Sequence, residues 1–400
     1  MRLRQRTPEV YAATSRISLV SSFLASVFIG SFTSIDISDV CGMNLWDINK
    51  GQFSDNLLEL AAGKGGGEDL RQKLGPVYED GGKDFGPVSK YFVEKYGFSK
   101  TCTVSCFTGD NPSTILSLPL RPLDAIISLG TSTTFLMATP KYEPDPSYHL
   151  FNSPTTPGIY MFMLCYKNGG LAREQVRDDY GKPKDDDQKG SWTKFNQAVL
   201  DTPPLSRSTD KDDAKMGLFF PKPEIVPNVR AGTWRFAFGK DGLKEQKKED
   251  LPGADARMIV ESQMLSIRLR SQKVLVDDTA SGNSDKPPQP RRIYCVGGGS
   301  VNESIVKVIG DVLGGTEGVW RLDVSDACAL GGAYKAVWAC ERKEGETFED
   351  FIGKRWREEE AVKKIGEGYD DGVFKQYGDV LDGFAEMEEL VLKGEKKAER

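Results

Sequence analysis

The spacing of apolar and polar residues changes along the chain, and each spacing predicts a different element. Between Asp124 and Thr139, two apolar runs flank the small polar sequence Gly-Thr-Ser-Thr-Thr, which predicts a β-hairpin. Residues 291–314 show an apolar strand, three consecutive glycines and then an amphipathic helix. Residues 254–274 and 90–96 repeat apolar positions at helical spacing. These patterns together predict an α/β fold.

The most apolar stretch near the N-terminus covers residues 17–32. A polar segment ending in Arg16 separates it from the basic first residues, and its serines and glycine make it a poor membrane span or signal peptide. Leu19, Phe23 and Val27 recur at helical spacing. We therefore predict a buried core helix here and no membrane association.

Charged segments divide the rest of the chain. Residues 177–191, 240–253 and 277–292 are polar and are predicted to be solvated loops or partly disordered segments. Residues 342–400 are rich in Glu and Lys, with aromatic residues at helical spacing, and are predicted to form either surface helices or a loosely docked, charged helical tail.

Composition excludes several classes of function. The net charge is −6 over 400 residues, without the basic bias that nucleic-acid binding proteins show. Seven cysteines contain no C-x-x-C pair, and His149 is the single histidine, so no metal-ligating residues are predicted. Unpaired cysteines in apolar surroundings suit a reducing compartment, which we take to be the cytoplasm. Any general base is expected to be a carboxylate.

Three turns could carry chemistry. Asp110 lies in Thr-Gly-Asp-Asn-Pro, which is either an ordinary turn or a carboxylate that accepts a proton from a substrate hydroxyl. The hydroxyl-rich turn from Gly130 to Thr134 could surround phosphate oxygens, or could simply close the hairpin. The glycines at 297–299 could admit a nucleotide close to the backbone, or could serve packing alone. Each turn taken alone leaves both readings open.

The order and spacing of these segments resemble the FGGY carbohydrate kinases. The resemblance rests on "DISDVCGMNLWDI", "FTGDNPST", "ISLGTSTTFL", "LCYKNGGLAREQVR", "SWTKF" and "CVGGGSVNESI", and runs from about Pro8 to about Glu341. It implies an actin/hexokinase-like fold of two ribonuclease-H-like lobes. Residues 1–120 would be the remainder of the N-terminal lobe, residues 121–341 the ATP-binding C-terminal lobe, and residues 342–400 the tail.

The resemblance also implies a reaction and its residues. ATP, with Mg²⁺, would phosphorylate D-xylulose to D-xylulose 5-phosphate in xylose catabolism, upstream of the pentose phosphate pathway. Asp110 matches the family's catalytic base, and Asn111 matches a sugar-contacting position. The nucleotide-contacting matches are Gly130, Thr131 and Ser132 for phosphate, Gly298, Gly299 and Asn302 for adenosine, and Trp192 near adenine.

The sequence departs from the family's pattern at its start. Family chains begin with a D-x-G-T/S phosphate loop, and none precedes "RISLVSS" here. The front of the first lobe and part of the sugar pocket are therefore expected to be missing. Little turnover and exposed apolar faces within residues 17–120 should follow. Two alternatives stay open, a non-catalytic adenine-nucleotide-binding paralogue and an FGGY kinase for another sugar.

Overall fold

A computed structural model describes residues 1–181, 191–209, 211–250, 253–275, 288–322, 324 and 326–398. The chain divides into two compact units. The first comprises Met1–Arg121, Leu150–Met161 and Asp326–Trp356, and the second comprises Pro122–His149, Phe162–Ser325 and Arg357–Arg400. These units interleave in sequence, so they differ from the three consecutive segments expected above.

Helices and strands are numbered in chain order. The helices are α1 Arg2–Arg6, α2 Pro8–Ala13, α3 Val20–Ile29, α4 Asp55–Ala62, α5 Gly67–Leu74, α6 Lys90–Tyr96, α7 Asp110–Ile115, α8 Gly170–Gly181, α9 Trp192–Asp201, α10 Asp255–Ser271, α11 Glu303–Leu313, α12 Ala327–Glu341, α13 Phe348–Gly353, α14 Glu358–Ala361, α15 Asp371–Asp379 and α16 Leu381–Ala398. The strands are β1 Ile35–Asp36, β2 Trp46–Asp47, β3 Gln52–Phe53, β4 Val77–Tyr78, β5 Asp84–Pro87, β6 Thr103–Ser105, β7 Ala125–Leu129, β8 Thr133–Thr139, β9 His149–Asn152, β10 Tyr160–Tyr166, β11 Ala214–Phe220, β12 Glu224–Ile225, β13 Asn228–Val229, β14 Gly232–Gly239, β15 Gly242–Glu245, β16 Ile293–Val296, β17 Val319–Leu322 and β18 Val362–Gly366.

Short strand pairs and helices build the first unit. β1 and β4 pair in parallel, whereas β2 with β3 and β5 with β6 pair antiparallel. The predicted helix in residues 17–32 is confirmed as α3, but its burial was predicted wrongly. Val20 is 84% exposed and Phe23 60% exposed, while only Ser21, Ser22 and Ala25 of α3 are buried. The expected exposed apolar surface in residues 17–120 is therefore confirmed.

The second unit is built on a mixed sheet in the order β18-β17-β16-β7-β8-β10-β9. β16 runs parallel to both β17 and β7, and β7 pairs antiparallel with β8 as the predicted hairpin. Helix α10, predicted from its periodicity, is buried along most of its length. A second sheet, in the order β11-β14-β15, packs against α10 through β11.

The C-terminal segment differs from its prediction. It is largely helical as expected, but it is not a loosely docked extension. β18 pairs with β17 in the main sheet, and Tyr377 and Phe384 are fully buried in α15 and α16. Glu388 of α16 forms a buried ion pair with Arg270 of α10, with 2.7 Å between Oε2 and Nη2. The charged composition of this segment therefore gave no indication that one face of its helices is packed in the core.

Two of the predicted polar loops contain regular structure. Residues 177–181 continue α8, while 182–190 lie outside the described residues. Residues 242–245 form β15, which pairs with β14, so this part of the loop prediction was wrong. Most of the third segment, 277–287, also lies outside the described residues. Across the described helices, none is both long and apolar enough to span a membrane.

Candidate functional site

Two turns lie next to each other at one edge of the main sheet. β7 and β16 are parallel neighbours, with Ser128 opposite Val296, so the turns that follow them leave the sheet at the same edge. The first is the predicted hydroxyl turn and the second is the predicted glycine turn. Between them lies a cavity of about 750 Å³ within the second unit. It is lined by Leu129, Gly130, Thr131, Gly170, Arg173, Glu174, Trp192, Asn196, Leu200, Gly298, Gly299, Val301, Asn302, Glu303, Ser304 and Ile305.

The glycine turn needs glycine at two positions for different reasons. Gly297 has φ +83°, a left-handed backbone conformation that other residues adopt only with strain. A Cβ on Gly299 would lie 2.8 Å from Cβ of Leu129, so the turn approaches β7 too closely for a side chain. The backbone of this turn can therefore pack against the end of β7 and still border the cavity.

The hydroxyl turn is held from behind by the start of α8. The amide of Gly170 donates to the carbonyl of Gly130 at 2.8 Å, and the amide of Gly169 donates to that of Thr131 at 3.1 Å. Any side chain at Gly169 would clash, because its Cβ would lie 2.5 Å from the carbonyl carbon of Ser132. Of the four hydroxyl residues that were predicted to form this turn, two lie elsewhere. Thr133 and Thr134 are the first residues of β8, and Thr133 is buried.

A cluster of amide and hydroxyl side chains fixes the opposite wall. Asn302 caps α11, where its side chain accepts from the amide of Ile305 at 3.3 Å. Its Nδ2 donates to Oδ1 of Asn196 on α9 at 2.8 Å. Trp192, one turn earlier on α9, is 37% exposed and has the Arg177 guanidinium carbon 4.6 Å from its ring centroid. This wall of the cavity therefore presents an indole ring that already packs against a guanidinium group.

The floor of the cavity includes a buried arginine. Arg173 of α8 is 2% exposed, and its Nη1 donates to Oε1 of Gln263 at 2.6 Å. Burial lowers the pKa of Arg173 to about 10, against a smaller opposing effect of the charge on Glu174.

The structure gathers most of the predicted nucleotide residues. Gly130, Thr131, Trp192, Gly298, Gly299 and Asn302 all line the cavity, whereas Ser132 is exposed in the same turn and is not among the lining residues. Sequence reasoning did not single out Arg173, Glu174 or Asn196. Asn196 could have been found from its position four residues after Trp192, on the same face of the helix. For Arg173 no signal was available, because arginines on helices are usually exposed.

Asp110 and Asn111 belong to the first unit, where they begin α7. Asp110 is exposed. Oδ1 of Asp110 accepts hydrogen bonds from the backbone amide of Asn111 at 2.7 Å and from its Nδ2 at 3.1 Å. An anionic residue at a helix start interacts favourably with the helix dipole. The neighbouring amide therefore orients a carboxylate that solvent can reach.

A buried ion pair fixes the segment that leads into Asp110. Asp36 is fully buried, and its Oδ2 lies 3.0 Å from Nζ of Lys335, which is 3% exposed. Lys335 also donates to the carbonyl of Cys106 at 2.8 Å, and Thr108 donates through Oγ1 to Oδ1 of Asp36 at 2.7 Å. The pair thus ties residues 106–108 to α12 just before Gly109 and Asp110.

Asp39 lies beside the same turn. A Cβ on Gly109 would lie 2.5 Å from Oδ1 of Asp39, and Ser21 donates a hydrogen bond to Oδ2. Burial raises the pKa of Asp39; the bond from Ser21 lowers it, and the charges of Asp36 and Asp110 raise it further. The carboxylates of this turn therefore act on one another electrostatically.

Helix α7 also packs very closely against α12. A Cβ on Gly331 would lie 1.7 Å from the carbonyl oxygen of Ser113, and the hydroxyl of Ser113 donates to the carbonyl of Cys328 at 2.8 Å. This contact sets the position of the helix that carries Asp110 at its start.

Replacing Gly331 by alanine is expected to force the two helices apart. We expect the free energy of unfolding to fall by at least about 1–3 kcal/mol, the usual cost of overpacking. Urea denaturation measures the change. Gly332→Ala is the matched control, because its Cβ would meet only the rotatable hydroxyl of Ser113, at 3.3 Å. Equal losses in both variants would contradict the proposed role of this contact.

Comparison with known proteins agrees with these features. Residues 125–340 match the C-terminal domain of the FGGY family of carbohydrate kinases. The chain is 58% identical to D-xylulose kinase A of Aspergillus niger over 401 residues, covering 99% of this chain and 70% of that protein. It is 59% identical over 399 residues to the Aspergillus fumigatus protein called "Probable D-xylulose kinase A", covering 99% of this chain and 69% of that one.

The chain belongs to the FGGY family of carbohydrate kinases. Solved structures confirm the predicted actin/hexokinase-like fold. Xylulose kinase from Rhodospirillum rubrum superposes with a TM-score of 0.73 at 15% identity, covering 98% of this chain and 71% of that chain. Glycerol kinase from Plasmodium falciparum, solved with ADP, gives 0.65 at 14% identity, covering 98% of this chain and 70% of that chain. Membership of a kinase family makes ATP the phosphoryl donor.

Proposed function

We propose that this FGGY kinase transfers the γ-phosphoryl group of ATP to the 5-hydroxyl of D-xylulose. The observation that carries the proposal is 58% identity, over 99% of the chain, to the Aspergillus niger protein named D-xylulose kinase A. The cavity between the hydroxyl and glycine turns supports it, because it offers backbone groups and an indole to a nucleotide.

Asp110 is proposed as the general base. Its Oδ2 takes the proton of the sugar's 5-hydroxyl while the oxygen of that hydroxyl attacks the γ-phosphorus. The bond between the γ-phosphorus and the bridging oxygen breaks, and ADP leaves with that oxygen. Both described hydrogen bonds to the carboxylate go to Oδ1, which keeps Oδ2 available. Asn111 is proposed to contact the sugar.

The second unit is proposed to hold the nucleotide. Gly130, Thr131 and Ser132 would donate hydrogen bonds to phosphate oxygens, while Gly298, Gly299 and Asn302 would border the adenosine. Trp192 would stack on the adenine through its indole ring. The guanidinium of Arg177 packs over the same ring and helps to hold it in place. Phosphoryl transfer depends mainly on such positioning and on charge neutralisation.

Mg²⁺ is proposed to enter with the nucleotide. Among the described residues, no group of three or more His, Cys, Asp or Glu side chains could hold a metal ion. Beside Asp110, Asp36 is engaged by Lys335 and Thr108, and Asp110 is the proposed base, so Asp39 is the carboxylate of this turn that could contact the ion. This fits Mg²⁺, which is commonly bound by one or two carboxylates together with substrate phosphates. When bound, it neutralises phosphate charge.

The proposal extends to lobes, location and pathway. Residues 1–120 would contribute the catalytic base and residues 121–341 the nucleotide site. The reaction would take place in the cytoplasm, where the product of xylose catabolism enters the pentose phosphate pathway.

ADP release in the presence of D-xylulose tests the proposed reaction. We expect the chain to release ADP only when D-xylulose and Mg²⁺-ATP are both present, with Aspergillus niger D-xylulose kinase A assayed beside it as the reference. D-ribulose and D-gluconate serve as alternative acceptors. Faster ADP release with either of these acceptors would identify that acceptor, and not D-xylulose, as the substrate.

The alternative is a non-catalytic protein that binds adenine nucleotide. The retained Asp110 favours the kinase, because nucleotide binding alone has no use for a base. Calorimetric binding of ADP without sugar-dependent ADP release would decide for the alternative.

A further inference from the structure

One charged group in the nucleotide cavity has no role in the proposal above. Arg173 lies on α8 beneath the glycine turn, and its Nη2 would be 3.6 Å from a Cβ on Gly299. It lines the cavity together with Gly130 and Thr131 of the hydroxyl turn. The guanidinium is therefore placed where the two turns approach each other.

A dedicated hydrogen-bond chain fixes the orientation of this guanidinium. Gln263 accepts from Nη1 of Arg173, and its own Nε2 donates to the carbonyls of Asn168 at 2.8 Å and Gly169 at 3.0 Å. Asn168 is in turn held by buried Glu224, whose Oε2 accepts from both its backbone amide and its Nδ2 at 2.9 Å. Arg173 is thus fixed relative to the segment that supports the hydroxyl turn.

Arg173 forms no ion pair within the described part of the chain, although the charge of the exposed Glu174 acts on it through space. Its Nη1 bonds a neutral amide oxygen, and no ion pair or second acceptor for the group occurs among the described residues. Other buried arginines of the same unit differ. Arg257 pairs with Glu261 at 2.7 Å and Arg270 with Glu388 at 2.7 Å, while Arg268 donates to the carbonyls of Val312 and Phe374. A buried cation without a partner is costly unless an anion completes its site.

We propose that Arg173 is a phosphate-binding residue, and that its guanidinium donates hydrogen bonds to a phosphate group of the nucleotide held between the two turns. Arginine suits this task because its fixed N–H groups match phosphate oxygens and remain charged when desolvated. Glu174 and Glu303 also line the cavity, and both are exposed to solvent.

The test compares ADP with adenosine, and it rests on the proposed nucleotide site. Calorimetric titration of the wild-type chain and of Arg173→Met measures both ligands in the same Mg²⁺ buffer. We expect the variant to lose about ten-fold or more in ADP affinity, and to change little toward adenosine, because only ADP carries the group that the guanidinium binds. Arg173→Lys should recover part of the loss because it restores the charge.

Arg268→Met is the matched control. It also removes a buried guanidinium whose pKa burial lowers to about 10, but Arg268 does not line the cavity. It should destabilise the chain without changing the ratio of the two affinities. Two results would overturn the inference but leave the nucleotide site intact. One is an ADP affinity that is the same in the wild-type chain and in Arg173→Met, and the other is an equal loss of affinity for ADP and for adenosine. Failure of the wild-type chain to bind ADP would overturn the nucleotide site itself, and the inference with it.

Discussion

Asp110→Asn is expected to lower the D-xylulose-dependent turnover by about 10²–10⁴-fold, the usual contribution of general acid–base catalysis. The amide keeps the size of the side chain and can still accept from Asn111, but it cannot take a proton from the sugar hydroxyl. Steady-state ADP release measures the effect. The affinity for ADP should stay the same, because Asp110 belongs to the first unit and the nucleotide cavity to the second.

Asp55→Asn is the control for this prediction. Asp55 is also the first residue of a helix in the first unit, and its side chain is 81% exposed. The Asp55→Asn substitution removes the same charge from the same position relative to a helix dipole. Turnover that falls equally in both variants, or that survives in Asp110→Asn, would exclude Asp110 as the base.

The largest effect on stability is expected from Glu388→Ala. Glu388 and Arg270 form an ion pair whose side chains are only 7% and 8% exposed. Removing the carboxylate leaves the guanidinium buried and unpaired, which typically costs about 3–5 kcal/mol. The free energy of unfolding, measured by urea denaturation at neutral pH, should fall by that amount.

The same helix supplies the control. Glu389 pairs with Lys393 at 3.0 Å, but both side chains are about two-thirds exposed, at 66% and 67%. Glu389→Ala should therefore change the free energy of unfolding by less than about 0.5 kcal/mol, as solvent-exposed pairs do. A Glu388→Ala variant as stable as this control would show that α16 is docked loosely, as its composition first suggested.

Local pattern predicted elements well and burial poorly. The period of residues 17–32 gave helix α3 correctly, yet Val20 and Phe23 are exposed. The C-terminal segment shows the opposite error. Its many charged residues predicted exposure, yet Tyr377 and Phe384 are buried in the core. Periodicity reports which residues share a face of a helix, whereas burial depends on what packs against that face.

The site shows the same division between local and tertiary information. Gly130, Trp192 and Gly298 could be selected from the sequence because turn chemistry and the family motif mark them. Arg173 could not, because its distinguishing property is burial without an ion pair, and a sequence shows neither burial nor partners.

The sequence by itself determined the hairpin, the strand–glycine–helix unit and the family of this chain, since each depends on short segments whose residue order is sufficient. Only the tertiary structure decided that the hydroxyl turn, the glycine turn and α9 border one cavity, and that α16 belongs to the core. The physical reason is that parallel pairing of β7 with β16 brings together residues more than 160 positions apart, as between Ile126 and Tyr294. No local pattern encodes that pairing.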